Sequence, residues 1–160
     1  MLPLILLPNQ ILRAVAKPIA LPPTAEVAKL AQEMIEAMNH YHGIGLAAPQ
    51  VNISTRLIVV ATAGQPTAYL NPEIIKTSWR QVDMEEGCLS IPGVFGLVKR
   101  PERVLARYYD LAGQKKEEWL EAMVARIYQH EIDHLNGILF TDKTSVLTSG
   151  QELLPQYGLG

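Results

Sequence analysis

The sequence predicts an α+β fold, and three observations predict it. An apolar stripe at helical spacing lies near the start, a block of short β-branched runs cut by glycine and proline fills the middle, and a second helical stretch closes at Asn136-Gly137. Helices flanking a block of short strands belong to α+β folds with an antiparallel or mixed sheet. At 160 residues and 17.7 kDa the chain can bury a real core. No repeat, low-complexity run or linker interrupts it, so residues 1–160 read as one domain.

Taken in order, Met1 to Pro8 is apolar but lacks a basic flank, is broken by prolines and is too short to span a bilayer. Leu4 to Leu7 therefore reads as a buried segment, and with no signal peptide the expected location is the cytoplasm. Pro22-Pro23-Thr24 opens the first helix, with Thr24 able to cap it. Val27, Leu30, Met34, Met38 and Tyr41 make its apolar stripe, and Gly43 is expected to end it in a left-handed conformation. Strand character follows over Arg56 to Thr62, which holds Leu57-Ile58-Val59-Val60. Ile74-Ile75, Gln81 to Met84, Leu97 to Arg100 and Arg103 to Tyr109 are further short candidates. Ala122 to Leu135 returns to helix. The tail from Thr141 to Gly160 has little pattern and is expected to be partly mobile.

Lysine and arginine number 14 against 16 aspartates and glutamates, a net charge of −2, and the pI is about 6.1. Nucleic-acid recognition usually leaves a basic excess, so this balance argues against a direct nucleic-acid partner. A hydrophobic share of 48% with 19% charged residues is ordinary for a soluble globular chain. A single cysteine rules out an intrachain disulfide and fits a reducing compartment.

Chemistry concentrates in His130-Glu131-Ile132-Asp133-His134. On a helix, residues four apart share a face, so the two imidazoles converge on one metal ion while Glu131 reaches toward a water on it. A catalytic site of this kind needs a third protein ligand and an open position. The downstream pattern HExxHxxGxxH is followed as far as Gly137, after which Phe140 stands where the third histidine belongs. Beyond His134 the only glutamate is Glu152, so the third ligand must come from upstream. Cys88, the only thiol, is the candidate. Intracellular cysteines are most often core residues, but this one follows Gly87 and precedes Ser90-Ile91-Pro92-Gly93, which reads as the end of an extended segment. In Gly43-Ile44-Gly45-Leu46-Ala47-Ala48-Pro49-Gln50 the small residues permit close backbone approach to a substrate, and Gln50 offers an amide donor. For the glycines a helix cap followed by a tight turn is an equally good account. Met123 and Ile127 lie seven and three residues before His130, on its helical face. With Ile44 and Leu89 they suit an apolar pocket, and equally ordinary core. His40 and His42 do not share a face and suit a helix C-terminus.

Together Gly43 to Gln50, Glu86-Gly87-Cys88-Leu89-Ser90 and Gln129 to His134 resemble the three motifs of the peptide deformylases, in the right order. Leu7-Pro8 and Leu12-Arg13 are similar to that family's start, so the resemblance spans roughly residues 5 to 142. It implies antiparallel or mixed short-strand sheets packed around a central metal-binding HExxH helix, with an N-terminal helix. It also implies removal of the N-formyl group from the initiator methionine of nascent polypeptides, with release of formate. Cys88, His130 and His134 would hold the metal, ferrous iron in the native protein, with Zn2+, Ni2+ or Co2+ able to replace it. Glu131 would be the general base, and Gln50 and the Leu89 backbone N–H the oxyanion donors. Ile44, Gly45, Met123 and Ile127 would bind substrate. A monomer in transient contact with the ribosome is the implied setting. Two departures stand out: the family often has glycine where Ala122 opens the last helix, and many members carry a longer helical C-terminus. An HExxH peptidase acting on internal bonds, a non-catalytic metal protein and a relative with another acyl substrate are the rival readings.

Overall fold

The computed structural model describes residues 1–160 and holds three α-helices and eight strands. The helices are α1 (Ala25–His40), α2 (Ala122–Leu135) and the single turn α3 (Phe140–Lys143). The strands are β1 (Gly45–Ala47), β2 (Leu57–Ala61), β3 (Pro66–Thr77), β4 (Gln81–Gly87), β5 (Phe95–Pro101), β6 (Arg103–Tyr109), β7 (Lys115–Glu121) and β8 (Val146–Ser149). They form two antiparallel sheets, ordered β1-β2-β3-β6-β7 and β4-β5-β8.

The apolar run of β2 has a simple cause. Leu57 and Val59 pack against Met34 and Met38 of α1, while Ile58 and Val60 pack against Ile127, Tyr128 and Ile132 of α2. Successive side chains of a strand alternate between faces, so a strand covered on both sides must be apolar throughout. In β6 only Val104, Ala106 and Tyr108 face α2, and the intervening Arg103, Leu105, Arg107 and Tyr109 are not fully buried, which gives the alternating pattern. Ten of the fourteen residues of α2 are buried because it is covered on two sides. One face lies on the five-stranded sheet. From the other, Arg126 donates to the carbonyls of Val82 and Val98, and Gln129 to that of Pro101, all in the smaller sheet.

Both long helices and β6 fall where the sequence puts them, but several details differ. Thr24 occupies the N-cap of α1 without a side-chain cap bond. The left-handed residue after α1 is His42 (φ 59°) rather than Gly43. A β-carbon on Gly43 would lie 2.7 Å from Leu89 Cδ1, so that side chain would have to shift to admit one. The Ile74-Ile75 pair belongs to a twelve-residue strand, β3, that runs through Asn71-Pro72. Its pairing with β6 shifts register between Leu70 and Glu73, which tolerates the proline. Asn71 side-chain bonds to the backbone of Ile19 hold the irregularity in place. β4 continues past Met84 to Gly87, and the turn over Ser90 to Gly93 follows its end. After Phe140 the chain forms α3, β8 and a 3-10 segment, Gln151–Tyr157, whose Tyr157 hydroxyl donates to the Pro92 carbonyl at 2.7 Å.

Candidate active site

Two segments bring the donor atoms together. His130 and His134 lie one turn apart on α2, with ring centroids 5.1 Å apart. Cys88 is the first residue after β4, and its Sγ lies 3.2 Å from His134 Nε2. The ligand atoms of all three fall within 4.8 Å of one another. The upstream thiol, not a downstream residue, completes the set. Phe140 is buried instead and stacks on His130 at 6.3 Å. One soft sulfur and two imidazoles beside an open cavity suit a catalytic first-row divalent ion. Glu131 Oε2 is buried without any protein partner, as expected of a group at a site completed by something else.

Glu86 organises the donors. Its Oε1 accepts from His130 Nδ1 at 2.8 Å, which turns Nε2 toward Cys88. The same carboxylate accepts from Arg100 Nε (2.6 Å) and Nη2 (3.0 Å), and from Arg126 Nη1 at 2.7 Å. Burial disfavours its charge, but the bonds from His130 and Arg100 outweigh that and hold its pKa well below the carboxylate range. Burial also opposes charge on His130, yet the Cys88 sulfur and Glu86 raise it to about 10. A metal at Nε2 competes directly with that proton. Burial and the neighbouring His130 push His134 well below its usual value, toward the neutral form a ligand needs. Burial raises Glu131 to about 7, against the attraction of His130.

Cys88, His130, Glu131, Glu86 and Arg126 line a cavity of about 530 Å³ lying between the free edges of the two sheets, β1 and β4. Gln50 is buried, and its Oε1 accepts from Ala47 N–H at 2.9 Å. That contact points Nε2 at Ser90 Oγ (3.1 Å) and Cys88 Sγ (3.6 Å). The N–H of Leu89 donates to no backbone carbonyl. Ile44, Gly45, Leu89, Met123 and Ile127 all line the cavity. Ile127 is buried inside, whereas Ile44 and Met123 are 53% and 46% exposed and form the rim. His42 reaches the mouth, and His40 ends α1 without lining it.

Glu86, Arg126 and Phe95 are site residues that the sequence motifs leave without a role. Glu86 was visible two residues before the thiol. Arg126 was visible as a cation one turn before His130 in an apolar helix face. Phe95 gave no local signal, because its place in the cavity comes from its pairing with Gly87 across β4 and β5.

The polypeptide deformylase family model matches residues 1–149. A peptide deformylase of Thermotoga neapolitana is 46% identical over 135 residues, covering 84% of this chain and 82% of that protein. One from Hydrogenovibrio crunogenus is 48% identical over 149 residues, covering 91% of this chain and 87% of its own length. Among solved structures, the Thermotoga maritima peptide deformylase superposes with a TM-score of 0.88 at 41% identity, covering 91% of this chain and 99% of that one. The Synechococcus elongatus enzyme in complex with actinonin gives 0.89 at 37%, covering 99% and 87%.

Proposed function

This chain belongs to the polypeptide deformylase family, and on that premise we propose how its residues share the reaction. The enzyme is a metal-dependent hydrolase that removes the N-formyl group from nascent polypeptides. The observation that carries the assignment of roles is the convergence of Cys88, His130 and His134 beside the buried carboxylate of Glu131. We assign the three as metal ligands, with Fe2+ as the native ion and Zn2+, Ni2+ or Co2+ as replacements. The bound ion supplies a Lewis acid that activates water and polarises the formyl oxygen.

The chain's own groups do the rest. Glu131 accepts the proton of the attacking water and later passes it to the leaving amine, so that formate and a free N-terminus result. Negative charge grows on the former formyl oxygen, and the Gln50 amide and Leu89 N–H donate to it. Ala47 fixes the Gln50 amide beforehand, so no reorganisation is needed when the charge develops. The peptide lies extended between β1 and β4, whose unpaired edges flank the cavity. Its methionine side chain enters among Ile127, Leu89, Met123 and Ile44, where Gly45 leaves room. Residues 1–160 act as one catalytic domain. Action in the cytoplasm, by a monomer in transient contact with the ribosome, belongs to the same reading and rests on family resemblance. No helix is long and apolar enough to cross a membrane.

The test is formate release from formyl-Met-peptide, beside an acetylated control, by metal-loaded wild type and Glu131→Ala. Wild type should act on the formyl substrate alone. Glu131→Ala should keep its metal and lose about 10²–10⁴-fold in turnover. Substantial turnover by the loaded variant would remove Glu131 from the mechanism, and cleavage of internal peptide bonds by wild type would favour a general peptidase.

A further inference from the structure

We propose that Arg126 is a positioning residue that holds Glu86 in register against His130, and so sets the orientation of a metal ligand from the floor of the substrate cavity. This rests on the reading of His130 as a ligand.

Arg126 lines the cavity, is buried, and lies four residues before His130 on α2. Four residues make about 6 Å of helix rise, so the two side chains share a face one turn apart. Both grip the same carboxylate: Arg126 Nη1 binds Glu86 Oε2 at 2.7 Å, and His130 Nδ1 binds Oε1 at 2.8 Å. A carboxylate held at both ends of one helical turn cannot slide along the helix, so the imidazole it orients cannot turn. Arg100 grips both oxygens of Glu86 from β5, so Arg126 is the guanidinium that ties this carboxylate to α2 from the helix itself.

Charge balance supports the same role. Arg100 also donates to Asp133 at 2.9 Å, so one buried guanidinium serves two carboxylates. The other cation on Asp133, Lys143, is 42% exposed. Arg126 supplies the second buried positive charge, and without it Glu86 and Asp133 would compete for Arg100.

A purely structural account is available, because Arg126 also donates to the Val98 carbonyl (2.8 Å) and the Val82 carbonyl (2.7 Å) and so staples α2 to the smaller sheet. The two accounts separate in the metal. Co2+-loaded wild type, Arg126→Met, Arg126→Gln and Arg126→Lys are compared by chelator competition, visible absorption and thermal melting, with His130→Ala alongside. Arg126→Lys keeps a cation for Glu86 but loses the fork to both carbonyls. It should melt lower than wild type yet bind Co2+ within about threefold, while Met and Gln weaken Co2+ by about 10–100-fold and alter its absorption bands. Wild-type affinity and spectrum in a folded Met or Gln variant would overturn the proposal. So would a Lys variant that binds as weakly as those two. Retention of Co2+ by His130→Ala would instead overturn the ligand assignment itself.

Discussion

Gly45 has no room for a β-carbon: one built there would lie 2.5 Å from Ile127 Cγ2 and 2.6 Å from Glu131 Oε1. The smallness of this residue places the β1 backbone directly against the carboxylate. Gln50 shows the converse, a large polar side chain buried because each end of its amide has a partner. An oxyanion donor acts on charge present only in the transition state, so Gln50→Leu should lower kcat by about 10²–10³-fold and leave KM nearly unchanged. A change in KM alone, read from initial rates over a substrate series, would make Gln50 a substrate-positioning group. Ala122 sits at φ 53°, in the left-handed region. The family's frequent glycine at this position therefore has a backbone cause. An L-residue pays about 1–2 kcal/mol there, partly offset by the greater unfolded-state freedom of glycine. Ala122→Gly should raise stability by up to about 1 kcal/mol in urea unfolding, and a clear loss would refute the strain.

The elements are held at their ends by residues remote in sequence. The C-terminus of α2 gives its Leu135 carbonyl to the Ala16 N–H (2.8 Å) and to Arg56 Nη1 (3.0 Å). Arg13 reaches the Gly137 carbonyl and forks onto Asp142 at 2.6 and 3.2 Å, while Asp142 also accepts from the Leu139 N–H and caps α3. Partial burial opposes the Asp142 charge, but Arg13 and the Leu139 N–H outweigh it and lower its pKa below 3.8. A carboxyl whose pKa is depressed by folding stabilises the fold above its unfolded value and loses that contribution as pH falls through the folded one. Asp142→Asn should therefore lower stability near neutrality by about 0.2–1 kcal/mol, the range for exposed pairs. The gap from wild type should close as pH drops below 3.8, measured by thermal melts across pH. A gap that persisted in acid would mean the charge is not what matters.

At the scale of the whole molecule the ligands come from opposite sides of the cavity. Cys88 hangs from the three-stranded sheet and the histidines from a helix seated on the five-stranded one. A bound ion cross-links the two layers, so its removal should destabilise the protein as a unit. At a free metal concentration about 100 times Kd the linkage is about 2.7 kcal/mol. For a chain of this size that corresponds to about 5–10 °C in Tm. Chelation of wild type should lower Tm by that amount, whereas Cys88→Ser should melt at the chelated value with or without metal. A Cys88→Ser protein that kept one metal per chain would show that the thiol is not a ligand.

The amino-acid sequence by itself determined α1, α2, β2 and β6, because each buries a face whose periodicity is written locally. Spacing along α2 determined the His130, Glu131 and His134 constellation for the same reason. β7 was hidden in Lys-Lys-Glu-Glu-Trp-Leu-Glu, an edge strand that buries only Leu120 and forms because β6 offers it a partner. β1 was too short to carry a period, and β8 pairs only through β5. Tertiary structure alone decided that Cys88 lies 3.2 Å from His134, that Glu86 grips His130 and that Phe95 enters the cavity. Periodicity reports which face of an element is buried. Which atoms meet across two sheets depends on register and on how the layers stack, and no local pattern in the chain encodes that.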